Sequence, residues 1–308
     1  MQFQSIFRPG LFEGKTVIIT GGGSGIGRCT AHELASLGAN VAIVGRKIEK
    51  LEKVCSEIIE DGGSATPHVC DIRIEEQVIA TIDRVLQTNG RIDGLVNNAG
   101  GQFIAPTADI STKGFEAVVR NNLTGGFIFM RETYTRWMRQ NGGAIVNMIA
   151  EIWNGWPNYA HSGAARAGML SLTESTASEW AHAGVRVNAV APGAIASSGM
   201  NTYEAEYRAR LVREMAAYIP AQRFGTESEV SAAIVFLLSP AAAFITGSFI
   251  RIDGGSPNAR PVWTGPLPPA ARSEIFSGFH RSIVPDVFLE ANDPPPSSTS
   301  QATGKKEP

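Results

Sequence analysis

TGGGSGIG, residues 20–27, follows the apolar run Thr16, Val17, Ile18, Ile19 and precedes a helical pattern through Ala31, Leu34, Ala35 and Leu37. Strand, glycine turn and helix in that order give the glycines a physical meaning. A helix start leaves backbone N–H groups unpaired and carries the positive end of the helix dipole, which suits a phosphate. Glycine lets the backbone approach such a group closely and take φ values that a Cβ forbids. The run opens a long alternation of strand and helix patterns, so it predicts a dinucleotide site.

Outward from that turn, strand-like runs recur near 15–20, 40–45, 66–70, 93–97, 143–149, 185–190 and 248–252. Helical patterns fall between them near 25–37, 47–60, 74–88, 112–138, 158–181, 203–217 and 227–238. Gly94-Leu95-Val96 and Ala144-Ile145-Val146 are short and apolar, as strands covered on both faces are. Such alternation predicts an α/β doubly wound parallel sheet of seven strands, with helices on both faces. Its ligand crevice then lies at the carboxyl ends of the strands, where the strand order reverses.

The 308 residues carry 43% hydrophobic content and a net charge of −2. That charge speaks against a nucleic acid or an anionic membrane as partner. Cys29, Cys55 and Cys70 form no CxxC pair and are odd in number. They read as buried thiols in a reducing compartment, with no disulfide framework and no metal site. The start MQFQSIFRPG lacks the pattern of a signal peptide, and no apolar run is long enough to span a bilayer. The ending KKEP is not a peroxisomal SKL-type signal. A cytoplasmic protein is the expectation.

Composition shifts near residue 258, beyond which lie over half of the chain's 17 prolines. Residues 1–257 read as one domain and 258–308 as a Pro-rich extension, with the last dozen or so residues disordered. Within the extension, EIFSGFHRSIVPDVFLE (274–290) has enough aromatics to dock on the body or on a neighbouring subunit, and Pro285 interrupts any continuous helix.

At this point the chain resembles the short-chain dehydrogenase/reductase family, from about residue 10 to about 257. The likeness rests on TGGGSGIG (20–27), Asp71 in CDI, NNAG (97–100), Asn122 in NNLTG and the PG turn at 192–193. It implies a Rossmann fold, with cofactor contacts from Gly21, Ser24, Gly25, Ile26, Gly27, Asp71, Ile72, Asn98, Ala99, Gly100, Arg166, Pro192, Gly193 and Ile195. Within the family, the chain is similar to the branch of peroxisomal trans-2-enoyl-CoA reductase and 2,4-dienoyl-CoA reductase. NNAGGQFIAPTADIS (97–111), HSGAARAG (161–168) and LLSPAAAFITG (237–247) carry that closer likeness. The second strand ends at Gly45-Arg46-Lys47, where an NAD enzyme usually places an acid. Two cations without that acid suit a 2′-phosphate and predict NADP(H) over NAD(H), with Arg28 as a further contact. The alternative is that Arg46 and Lys47 are solvated surface cations.

The resemblance implies a catalytic Ser and a Tyr-x-x-x-Lys pair, and the chain departs from both. Without gaps from LSLTES (170–175), Ser162 falls at the tyrosine position and Arg166 at the lysine position. Ser162, Arg166, Asn122 and Tyr159 form the candidate catalytic set. Arg166 supplies fixed positive charge but no proton at neutral pH. Tyr159 reads either as a substrate-contacting acid or as a packed aromatic beside Trp153 and Trp156. His161 reads as a packing or interface histidine, and Glu151 lies where the dienoyl reductases place a tyrosine. Residues 194–218 match the family's substrate lid, where Met200, Tyr203, Tyr207, Leu211 and Met215 mix with charges. The spacing of 203, 207 and 211 gives one apolar stripe, which either covers the body or walls an acyl or prenyl pocket. Arg208, Arg210 and Arg213 either meet CoA phosphates or pair with Glu204, Glu206 and Glu214 on a solvated face.

Three functions follow. The first is NADPH-dependent reduction of an unsaturated acyl-CoA, whose oxyanion needs only hydrogen-bond donors. The second is a dehydrogenase of acyclic terpenoid alcohols or aldehydes such as citronellol. The third is a non-catalytic dinucleotide-binding protein. The helices at 112–138 and 158–181 resemble the family's dimerising pair, which implies a homotetramer or homodimer.

Overall fold

Strand β1 (Thr16–Thr20) is buried along its whole length. Its side chains alternate between two cores: Val17 and Ile19 enter one and Ile18 the other. Strands β2 (Asn40–Gly45), β4 (Gly94–Asn97), β5 (Gly143–Met148) and β6 (Val185–Pro192) are apolar in the same two-sided way. Strands covered on both faces have no solvent side on which to place polar residues. With β3 (Ser64–Val69) and β9 (Phe249–Ile252) they form a seven-stranded sheet in the order β3-β2-β1-β4-β5-β6-β9, and every pairing is parallel. The computed structural model describes residues 2–202, 204–259 and 273–290.

One face of the sheet is covered by α1 (Gly25–Ser36), α2 (Ile48–Glu60) and α9 (Glu227–Leu238), through Leu34, Leu51, Ile58 and Ile234. The other is covered by α3 (Glu75–Asn89), α5 (Gly125–Thr133) and α7 (Ala160–Trp180), through Ile82, Phe129 and Met169. The chain is therefore a doubly wound Rossmann fold, as its alternation predicts. The order reverses between β1 and β4, which places the crevice at their carboxyl ends.

Sequence periodicity misses three details. The single helix read over 112–138 is α4 (Thr112–Val119), a π-helical stretch Arg120–Thr124, α5, a second π-helical stretch Tyr134–Met138 and the short α6 (Arg139–Asn141). A π-turn takes one extra residue into a helical turn, and nothing in the residue types read over 112–138 marks where it enters. The strand read at 66–70 begins earlier, at Ser64. A small parallel pair, β7 (Ile195–Ala196) with β8 (Gly225–Thr226), is too short to show any alternation.

A buried polar chain fixes the middle of the sheet against its helices. Asn97 Nδ2 donates to Asn147 Oδ1 at 3.0 Å and to the Gly126 carbonyl at 3.2 Å, and Asn147 Nδ2 donates to Thr173 Oγ1 at 2.9 Å. Stranding one partner of such a buried bond costs about 1–3 kcal/mol, so the chain holds β4, β5, α5 and α7 in one relative placement.

Residues 194–218 contain α8 (Ala205–Tyr218). Tyr203 and the side chains of Tyr207, Leu211, Arg208, Arg210 and Arg213 lie outside the description. Residues 273–290 run as an extended segment into α10 (Asp286–Glu290) and pack on this chain's own body. The last dozen or so residues, expected to be disordered, lie within 291–308, outside the described residues.

Candidate functional site

The glycine turn is stitched to the end of β4. Thr20 Oγ1 accepts from the Asn98 and Ala99 amides at 3.1 and 3.0 Å, and Asn98 Nδ2 donates to the Thr20 carbonyl at 3.0 Å. A Cβ on Gly27 would sit 2.5 Å from both Asn98 Nδ2 and the Gly21 carbonyl, so only glycine fits there. Gly25 holds a φ of +58°. Ser24 is exposed at the start of α1 and makes no cap bond to the helix. The amides of the first turn thus remain without intrahelical partners. This cradle fits a pyrophosphate, with Gly21, Ser24, Gly25, Ile26 and Gly27 on it. Ile72, expected among the cofactor contacts, is buried and lies against Gly125.

Arg46 and Lys47 are exposed just past β2 and form no ion pair with a described residue. Asp71 accepts a two-pronged contact from Arg73, through Nε at 2.8 Å and Nη2 at 2.5 Å. Those hydrogen bonds hold its carboxyl below the usual range. Any adenine contact by this carboxylate is therefore shared with Arg73.

Arg28 corrects an expectation. It is buried; its Nε pairs with Glu57 at 2.8 Å and its Nη1 donates to the Arg281 carbonyl at 2.9 Å. Its guanidinium also lies 4.9 Å over the Phe279 ring. A cation engaged on all sides is not offered to a 2′-phosphate.

At the proton end, Asn122 sits in the first π-helical stretch and is buried. Its Oδ1 accepts from the Gly101 amide at 2.8 Å, and its Nδ2 donates to Ser162 Oγ at 3.3 Å. Ser162, fully buried, donates onward to Gln102 Oε1 at 2.6 Å. Arg166 follows one helical turn later, on the same face of α7. Its Nη1 donates to the Met148 carbonyl at 2.6 Å, and its Nη2 touches the open side of Gly100, where a Cβ would collide with it. Among the described residues no carboxylate pairs with it. Burial lowers its pKa to about 10, so it is still a cation at neutral pH. A buried cation without a counter-charge fits a site that awaits polar ligand groups such as ribose hydroxyls.

Tyr159 caps the N-terminus of α7, nearly buried, with its ring 5.1 Å from that of Trp156. Trp153 stacks on Phe249 at 5.0 Å. His161 behaves as a packing histidine: its Nδ1 accepts from the Ser162 amide at 2.9 Å and its ring meets Phe103 edge-on at 4.4 Å.

Pro192, Gly193 and Ile195 form the turn at the end of β6, anchored by the Gly193 amide on the Ile252 carbonyl at 3.0 Å. Two carboxyls border this region outside the candidate set. Half-buried Glu151 accepts from Ser256 Oγ at 3.0 Å, and its Oε2 lies 3.2 Å from where a Gly193 Cβ would be. Burial, then repulsion from Asp253, raises its proton affinity. Glu227 is 4% exposed, accepts from the Ser198 amide and faces Gly25. Burial lifts it to about 7. Gln102, the acceptor for Ser162, also escaped sequence reasoning; its place in the GGQF run was the available signal.

Comparison with known proteins places this geometry. A family model described as enoyl-(acyl carrier protein) reductase matches residues 21–256. A probable 2,4-dienoyl-CoA reductase of Bacillus subtilis (strain 168) is 38% identical over 83% of this chain and 99% of its own length. The peroxisomal 2,4-dienoyl-CoA reductase of Danio rerio is 35% identical over 83% of this chain and 85% of its own. A solved structure described as the citronellol catabolism dehydrogenase of Pseudomonas aeruginosa PAO1 is 58% identical, with a TM-score of 0.75, over 83% of this chain and 100% of that one.

Proposed function

The chain belongs to the short-chain dehydrogenase/reductase family of oxidoreductases, and from that membership we propose that it is an NADPH-dependent reductase of an α,β-unsaturated acyl-CoA thioester. A nicotinamide dinucleotide held by the glycine turn would supply the hydride. The observation that carries the reading is the replacement of a phenol and an amine by Ser162 and the buried, unpaired Arg166. The single Ser162 proton goes to Gln102 in the ligand-free chain and reaches a substrate oxyanion by exchanging that bond, and Arg166 holds a fixed positive charge that burial strengthens. Both suit an oxyanion that builds on a thioester oxygen, because such an anion needs donors and no strong acid at that atom. Asn122 and Gln102 hold the Ser162 hydroxyl in place. Arg166 also faces the position of the cofactor ribose beside Gly100. The free cations Arg46 and Lys47, with Gly45 in place of an acid, support NADP(H) over NAD(H).

A second reading rests on a separate observation, the 58% identity to a protein described as a citronellol catabolism dehydrogenase. It makes the substrate an acyclic terpenoid alcohol or aldehyde. Absorbance at 340 nm separates the two: NADPH oxidation with trans-2-decenoyl-CoA supports thioester reduction, and turnover with citronellal alone replaces it by the terpenoid reading. Binding of NADPH with neither turnover identifies a non-catalytic dinucleotide-binding protein. A preference for NADH in the same assay removes the role of Arg46.

The exposed Phe115 and Phe127 lie on the helical run that packs beside α7. That face supports a homodimer or homotetramer, which light scattering of the purified chain tests. Among the described residues no helix is long and apolar enough to cross a membrane. The cytoplasm remains the proposed location, although the Danio rerio relative is named peroxisomal.

A further inference from the structure

Residues 273–290 lie beyond residue 256, where the family match ends, yet they make a dense set of contacts with two separate parts of the body. At one end, Arg281 binds Asp61 through Nε at 3.0 Å and Nη2 at 2.8 Å, and reaches Glu60 at 3.0 Å. His280 Nε2 lies 2.9 Å from the same Asp61 carboxylate. Phe279 is 3% exposed beneath the Arg28 guanidinium, and its amide donates to Ser228 Oγ at 3.2 Å. Arg28 directly follows the last glycine of the cofactor turn. This anchor therefore grips α1, α2 and the start of α9.

At the other end, Val287 is buried in a cluster with Met200 and Phe224, and Val212, Met215 and Ala216 of α8 pack against it. Phe288 joins them, its ring 5.2 Å from that of Phe224. Pro285, buried just before α10, is pre-set for a helix start. Five residues, 282–286, separate the anchor from Val287. Such a link spans at most about 20 Å when fully extended, so it limits how far α8 can move from the body.

We propose that segment 273–290 is a positioning strap for the substrate site, in which Val287 and Phe288 hold Met200 and α8 over the cleft while Arg281 and Phe279 fasten the strap to the cofactor side. Substrate affinity is then set partly by residues of the extension. The proposal rests on the reading of 194–218 as the substrate lid.

Hydrogen exchange of the ligand-free full chain tests the strap independently of any substrate. In Val287→Ser/Phe288→Ser, amides of 205–218 exchange about tenfold faster or more, and those of α1 are unchanged. Arg281→Ala touches no residue of α8, and the strap predicts faster exchange there too. Unchanged α8 exchange in Arg281→Ala overturns the proposal, whatever the double variant does. With whichever substrate the wild-type chain turns over, the double variant raises KM about tenfold with kcat changed less and NADPH affinity within about twofold. Accelerated α8 exchange with an unchanged KM contradicts the lid's role and leaves the strap's mechanics standing; α8 exchange at the wild-type rate in both variants removes the strap itself.

Discussion

The cofactor end and the proton end of this crevice sit on the same strand ends but are built by different means. At the cofactor end, backbone does the work: Gly25 and Gly27 shape the turn, and Thr20 and Asn98 stitch it to β4. At the proton end, side chains do: Ser162 bonds to Asn122 and Gln102, and Arg166 stands buried without a counter-ion. A backbone-built site tolerates almost no substitution, because steric exclusion leaves one residue type. A side-chain-built site can change residues and keep its geometry, so its chemistry drifts while the fold stays. The Ser162 and Arg166 replacements on an intact dinucleotide turn are what that difference allows.

The largest effect is expected at the cofactor end. Gly27→Val drives side-chain atoms into Asn98 and the Gly21 carbonyl, and overpacking of this order costs up to about 3 kcal/mol, or roughly a hundredfold in NADPH affinity. Calorimetric titration with NADPH measures it; unaltered affinity would break the claim that backbone approach defines this end.

Arg166→Met comes next and sharpens the contrast. If this cation holds the cofactor ribose as proposed, its loss raises KM for NADPH about tenfold or more. The same change removes a buried charge that has no counter-charge among the described residues, so thermal stability should hold or rise. A large fall in Tm would show that Arg166 is a structural residue instead.

Glu227→Gln gives the smallest effect and reads the border between the two ends. Burial lifts this carboxyl from its ordinary 4.5 to about 7. The folded chain therefore keeps a proton that the unfolded chain releases as pH rises from 4.5 to 7. Folding stability falls across that window and stays lower above it. Denaturant unfolding should find the variant more stable than wild type by about 1–3 kcal/mol at pH 8 and equal to it near pH 4. A difference that is the same at both pH values rejects an ionisation origin.

The contrast also explains what could be read from the sequence. Parallel strands buried on both faces leave apolar runs such as Val17-Ile18-Ile19, so the sheet was legible. The glycine turn was legible because steric exclusion writes itself as glycine. The two π-helical stretches were not, since nothing in the helical pattern read over 112–138 marks where an extra residue enters a turn. Arg28 was misread because adjacency to Gly27 says nothing of direction, and its side chain turns to Glu57 and Phe279 on the far side of α1. Glu227 gains its place through a tertiary neighbour, Ser198; Gln102 and Glu151 carried a sequence signal, but their contacts with Ser162 and Gly193 come only with the fold.

We propose that cofactor binding and proton management are separable in this crevice, with Ser162 serving the second. One paired measurement tests it: NADPH affinity and the single-turnover rate at 340 nm, for wild type and Ser162→Ala, with whichever of the two proposed substrates the wild type reduces. The prediction is affinity within about twofold and a rate lowered about tenfold to a hundredfold, the scale of losing one oxyanion donor. An undiminished rate, or an affinity that falls in step with it, would contradict the account.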